Sequence, residues 1–180
     1  MPLKTLASFA FVIVFGGAAL AAGATTPSST NAPANRADPS PVGEWLVNDR
    51  TARIRIENCG GALWGVVSWE KSPGGLDVHN PDPAKRARAT LGLPIILDMQ
   101  PSQAGRYDGE VYNADNGKIY TAHISMVNRD TLRIEGCVLG FLCGGENWTR
   151  FEPRSSSQAA RTAPALDVCS AAADGKGRSK

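Results

Sequence analysis

The residues able to do chemistry are few: Cys59, Cys137, Cys143 and Cys169, His79 and His123, Ser125, and a set of tryptophans and tyrosines. Cys137 and Cys143 stand in "RIEGCVLGFLCGGENWTR", where apolar residues and a glycine separate them. Zinc would need thiols or imidazoles at short fixed spacings, and neither Cys-x₂-Cys nor His-x₃-His occurs. A thioredoxin-type redox pair would need Cys-x-x-Cys at a helix start, and that is absent as well. What fits is a disulfide across facing strands, since Cys137 ends one strand pattern and Cys143 begins the next. Closing so short a loop stabilises by roughly 2 kcal/mol in the entropic model. The alternative is two reduced, buried thiols.

Acid–base or nucleophilic catalysis has one candidate. His123 and Ser125 sit two apart in "YTAHIS" and share a strand face. No nucleophile elbow accompanies them, so His123 is expected to be a plain polar residue and no residue is assigned as catalytic. The aromatics are more informative. Trp45, Trp64, Trp69, Trp148, Tyr107, Tyr112 and Tyr120 all fall within one stretch of the chain. Small barrels use such side chains as core plugs and as ligand-lining walls. Trp64 and Trp69 differ by five, which puts them on opposite faces of a regular strand unless a bulge intervenes. Asn147-Trp148-Thr149 matches a glycosylation acceptor, relevant only to a eukaryotic secretory route.

The elements that must position these residues read as strands. "TARIRIEN" sets Ile54 and Ile56 on one face and Arg53, Arg55 and Glu57 on the other. "ALWGVVSWE" is apolar on both faces, "LPIILDMQ" opens on Pro94, and "DTLRIEG" and "GENWTRFE" complete the pattern. "GEVYN" and "GKIYTAHISMV" flank Asn116-Gly117, a hairpin signal because both residues tolerate positive φ. Seven or eight short strands, about that many by turn spacing, imply an antiparallel barrel or sandwich. One segment differs. In "HNPDPAKRARATLG", Asp82 is placed as an N-cap, Pro83 at the first helical position and Gly92 past the end, predicting a short helix or helical turn from about Pro83 to Leu91. Lys85, Arg86 and Arg88 would form its solvated face. A functional alternative puts Arg88 at a barrel mouth against an anion.

The ends set the context. Beyond Lys4, residues 6–24 are "LASFAFVIVFGGAALAAGA", which predicts a cleaved secretory signal over residues 1–24. The apolar centre falls short of the roughly 20 residues that span a bilayer, and no basic cluster follows, so no stable membrane anchor is expected. No cysteine stands at the exit for lipid attachment. Residues 25–40, "TTPSSTNAPANRADPS", are too polar to fold and read as a disordered linker. Residues 153–180 read as a disordered basic tail, with a transient helix at most in "APALDVCSAAA". The folded part, residues 41–152, carries 12 Lys/Arg against 14 Asp/Glu, so nucleic acid is excluded as a partner on charge.

Taken together, "VGEWL", "NPDPAKRARATLGLPII", "DGEVYNADNGKIYTAHI" and "LRIEGCVLGFLCGGENWTR" resemble the secreted bacterial family catalogued as domain of unknown function 2147 (DUF2147). The resemblance covers about Gly43 to Arg150. It implies a lipocalin-like, all-β, up-and-down antiparallel barrel of about eight strands, in the periplasm or outside the cell, with a cavity for a small apolar ligand. Gly43-x-Trp45 looks like the lipocalin Gly-x-Trp start, whose tryptophan plugs one end of the barrel. The family carries no catalytic residue, metal or cofactor to transfer. Two departures stand out. The position of Trp64 is often Cys in members, which leaves Cys59 free or paired with Cys169, and Tyr107 stands where Trp is frequent.

These observations imply an exported β-barrel that is not an enzyme and that encloses a small hydrophobic ligand. The expected wall is Trp69, Tyr112, Tyr120 and His123, with Trp45 and Trp148 structural. The alternative is an envelope interaction module with a filled barrel. The oligomeric state is not legible from these patterns.

Overall fold

The computed structural model describes residues 39–103, 105–139, 142–152 and 167–176, all within the unit Ala37–Lys180. The expected signal peptide, most of the linker and most of the tail lie outside the described residues. Eight strands follow one another: β1 (Gly43–Leu46), β2 (Ala52–Cys59), β3 (Ala62–Glu70), β4 (Pro94–Gln103), β5 (Arg106–Asn113), β6 (Lys118–Asn128), β7 (Thr131–Val138) and β8 (Leu142–Arg150). Each pairs antiparallel with the next, and β8 returns to β1, closing an up-and-down barrel. A helix, α1 (Val168–Lys176), follows the barrel.

The period of two decides which side chains go inside. Trp45 lies opposite Ile54, and Ile54 and Ile56 are both buried. Ala122 and Ile124 of β6 and Leu132 and Ile134 of β7 are buried in the same way, pairing through Ile124↔Ile134. Leu63, Ile96 and Met99 complete this plug. A methyl group on Gly65 would come within 2.8 Å of the Ile96 side chain, so the plug leaves no slack at that level.

One end of the barrel is tied shut around Trp45. Its indole Nε1 donates to the Pro41 carbonyl at 2.7 Å, and the Arg150 guanidinium stacks 4.2 Å from the ring centroid. Arg150 also donates to the carbonyls of Arg129, Val42 and Ser40, joining the β6–β7 turn to the incoming chain. Gly43 sits at φ 136°, and a Cβ there would lie 2.6 Å from Arg150 Nη1. The Gly-x-Trp pattern is therefore a glycine making room for the arginine that covers the tryptophan.

Two sequence expectations are corrected here. First, the short helix or helical turn expected from about Pro83 to Leu91 is a 3-10 turn that stops at Lys85, Pro83–Lys85, capped by Asp82 Oδ1 on the Ala84 amide. Beyond it the chain is drawn into extended pairing: Asp77 N donates to Arg88 O, Thr90 N to Gly75 O, and Leu76 bridges Ala89. The β3–β4 loop thus folds as a strap over the outer face of β5. It is also seated on the β5–β6 hairpin. Gly117 has φ 68°, and a Cβ there would fall 1.8 Å from the His79 carbonyl oxygen. Gly117→Ala should therefore destabilise by at least about 2 kcal/mol, since left-handed strain and the steric clash both act against it. A thermal melt reads this directly, and a loss under about 1 kcal/mol would mean the strap is not seated there.

Second, part of the tail expected to be disordered is ordered. Val168 and Ala172 of α1, one turn apart, are buried against the barrel, and Cys169 is bonded to Cys59. The helix contacts β2, β3 and β4 from outside. That cover is why β3 is apolar on both faces: Trp64, opposite the outward Glu57, is 2% exposed. A bulge at Ser68 then shifts the register, so that Ile54 opposes Val67 but Arg53 opposes Trp69. Both Trp64 and Trp69 consequently lie on the outer surface of the barrel wall.

Candidate functional site

The outer faces account for three of the four residues expected to line a cavity. Trp69 stacks on Arg53, 4.7 Å from the guanidinium carbon, with Phe151 on the other side at 4.1 Å. Tyr112 alternates with Val111 and Asn113 and faces the strap, donating to Asp77 Oδ1 at 2.5 Å. His123 alternates with the buried Ala122 and Ile124 and stands in an outer row, Asp108–His123–Glu135, across β5, β6 and β7. Tyr120 alone of the four lines one of the two cavities formed by the described residues. The four do not come together, because the period of two that buries their neighbours turns Tyr112 and His123 outward and the Ser68 bulge does the same for Trp69.

The outer row is an ion-pair ladder. His123 Nε2 lies 2.6 Å from Glu135 Oε2, Arg133 donates to Glu135 Oε1 at 3.0 Å, and Arg106 donates to Asp108 Oδ1 at 2.6 Å. Arg133, then His123, hold the Glu135 carboxyl below its usual range, and Arg106 does so for Asp108. No hydrogen bond joins His123 to Ser125, so the imidazole is engaged by a carboxylate rather than by a nucleophile. Among the described residues no group of three His, Cys, Asp or Glu is placed to hold a metal ion, and no helix is long and apolar enough to cross a membrane.

The cavity lies at the barrel end opposite Trp45, against the inner faces of β5 to β8. Its volume is about 390 Å³, within the range of about 300–1,000 Å³ usual for small-molecule sites. Val111, Ile134, Val138, Leu142 and Trp148 make its apolar surface. Gly136 and Gly144 widen it, and no described residue approaches within 4 Å of where a Cβ on Gly144 would stand. The polar groups are Asn113, Tyr120 and Glu146. Tyr120 Oη accepts from Asn116 Nδ2 at 2.9 Å, and Glu146 Oε1 accepts from the Trp148 indole. Glu146 and Trp148 escaped the sequence reading as wall residues. Yet "GENWTR" alternates, and Glu146, Trp148 and Arg150 share one face. The expected staple closes this wall: Cys137 lies opposite Cys143 and the two are bonded.

A second cavity of about 360 Å³ lies under α1, between Trp64, the Cys59–Cys169 bond and Ala172. The buried Trp64 Nε1 has no hydrogen-bond partner among the described residues.

No curated protein matches the chain. Among solved structures, one described as "Protein HP1028 from the human pathogen Helicobacter pylori belongs to the lipocalin family" superposes with a TM-score of 0.64 at 17% identity, covering 73% of this chain and 96% of that one. At that identity the likeness is one of fold: a lipocalin-like barrel. A family model described as "Uncharacterized protein conserved in bacteria (DUF2147)" matches residues 43–150, from the first residue of β1 to the last of β8. The chain belongs to that family.

Proposed function

We propose that the protein is an exported, non-enzymatic carrier that encloses a small, largely apolar molecule in the cavity between β5 and β8. The observation that carries this is the division of the barrel interior. A packed plug around Trp45, Ile54 and Ile96 makes a floor, and above it lies a preformed apolar space with a few polar groups. Export to the periplasm or beyond is supported by the apolar run of residues 6–24 and by two disulfides, which persist in oxidising compartments.

Gly144→Leu tests the reading, because its Cβ would stand in open space on the cavity side, with no described atom within 4 Å. Binding of a fluorescent lipophile should fall at least about tenfold, with melting changed by only a few degrees, since no native contact is removed. Unchanged binding in this variant would sink the cavity as the site. The second reading, an envelope interaction module, is favoured by the apolar β7–β8 hairpin end, where Val138, Leu139 and Leu142 are exposed by 43%, 82% and 57%.

A further inference from the structure

Among its described lining residues the cavity has a single charged group, and its sign selects among amphiphiles. We propose, resting on the carrier reading, that the ligand bears a cationic ammonium head on an apolar body and that Glu146 and Trp148 receive that head. Three observations support this. Glu146 is the one acidic side chain among the described lining residues, and no Lys or Arg accompanies it. One carboxylate oxygen, Oε1, accepts the Trp148 Nε1–H, which fixes the group; the other, Oε2, has no hydrogen-bond or ion-pair partner among the described residues. The same wall offers two aromatic rings, Trp148 and Tyr120. An aromatic face beside a carboxylate is the arrangement that binds ammonium groups, through the ring quadrupole and through a charge-assisted hydrogen bond.

The same chemistry disfavours the commonest simple lipophile. A fatty-acid carboxylate would bring a second negative charge beside Glu146 with no cation to offset it, and like charges in a partly desolvated site repel strongly. Seating the acid end outward at the mouth would avoid that repulsion but leave Oε2 without a donor, which costs free energy in a partly dry site. The apolar walls of Val111, Ile134 and Leu142 would take the hydrocarbon of either molecule equally. The head group alone therefore decides between them.

Competition of dodecylammonium and dodecanoate against a fluorescent lipophile on the full chain tests this, at concentrations below micelle formation. Dodecylammonium should bind at least about tenfold tighter, a ratio that one charge-assisted contact readily supplies. Glu146→Gln should abolish the preference while dodecanoate still competes, and the glutamine retains an acceptor for the Trp148 indole. Equal affinities in the wild-type protein, or a preference that persists in Glu146→Gln, would overturn the assignment of the head group and leave the cavity reading standing. Displacement by neither molecule would overturn both. The wild-type comparison decides even if the variant folds poorly.

Discussion

Asp77→Ala is expected to destabilise the protein by about 3 kcal/mol, the lower end of what breaking a buried charge network costs. Asp77 is fully buried, yet it accepts from Tyr112 Oη at 2.5 Å, from Arg88 Nη2 at 2.6 Å and from Asn80 Nδ2 at 2.7 Å. Removing the carboxylate takes the Asp77 acceptor from all three donors, and Arg88 Nε already has no partner among the described residues. The lower end of the range applies because Arg88 is 27% exposed and regains some water. The sequence reading made Arg88 a solvated residue or a mouth-facing anion site; it is instead the clasp of the strap. Urea unfolding should show a lower midpoint at unchanged slope, and a loss below about 1 kcal/mol would contradict the network.

The same carboxylate gives a pH signature. Burial alone would raise its pKa, but hydrogen bonds from Tyr112, Arg88 and Asn80 outweigh that and hold it below the usual value. A carboxylate whose pKa is lowered on folding contributes stability above its unfolded value of about 4, and that stability is lost as pH falls through the lower folded value. Tyr112 behaves in the opposite sense. Burial, then its hydrogen bond to Asp77, pushes its phenol up to about 12. Its contribution is complete below the unfolded value of about 10 and is lost as pH rises through the folded one. The strap should therefore be firmest across the broad range between, and Asp77→Asn should shrink the acid limb of the stability profile to what Glu135 and Asp108 still contribute.

Cys169→Ser is the second large effect. The disulfide to Cys59 has a sequence separation of 110 residues. The entropic model assigns a loop of that size up to about 4–5 kcal/mol, and measured cases run about 2–4 kcal/mol. The short Cys137–Cys143 loop, a separation of 6, is worth roughly 2 kcal/mol in the same model, so Cys143→Ser should cost less than Cys169→Ser. The two variants should also differ in kind. A helix of 9 residues is marginal in water, and among the described side chains of α1 Val168 and Ala172 are the two that are fully buried. Without its disulfide it should leave the barrel, and Trp64 should become open to acrylamide quenching with a red-shifted emission. Trp64 still shielded in Cys169→Ser would show that packing alone holds the helix.

Much of the barrel was legible because its strands obey a simple rule. Ile54 and Ile56 against Arg53 and Arg55, and Asn116-Gly117 between two apolar runs, are local patterns, and the facing cysteines followed from the same hairpin logic. What escaped were features set by non-local contacts. The strap depends on Asp77 meeting Tyr112 across 35 residues, and α1 depends on Cys59. The site was misjudged for a more instructive reason. Aromatic and polar residues were chosen by type, although the alternation already held the answer for β6: His123 lies between two small or apolar residues that the core requires, so it must point out. Tyr120, on the parity of Ala122, points in. For Trp69 no such inference was available, since the bulge at Ser68 leaves no mark in the sequence pattern.

The Cys59–Cys169 bond also changes the connectivity of the molecule. Covalently, the chain from Cys59 to Cys169 is a closed ring, and β3 through β8, with Glu146 and every residue lining the ligand cavity, belong to it. β1, β2 and the last part of α1 are branches leaving that ring. A protease that cuts once in the β3–β4 strap, or once in residues 153–166, opens the macrocycle without dividing the molecule. Either segment can thus be severed while the cavity wall and its covering helix remain one covalent piece.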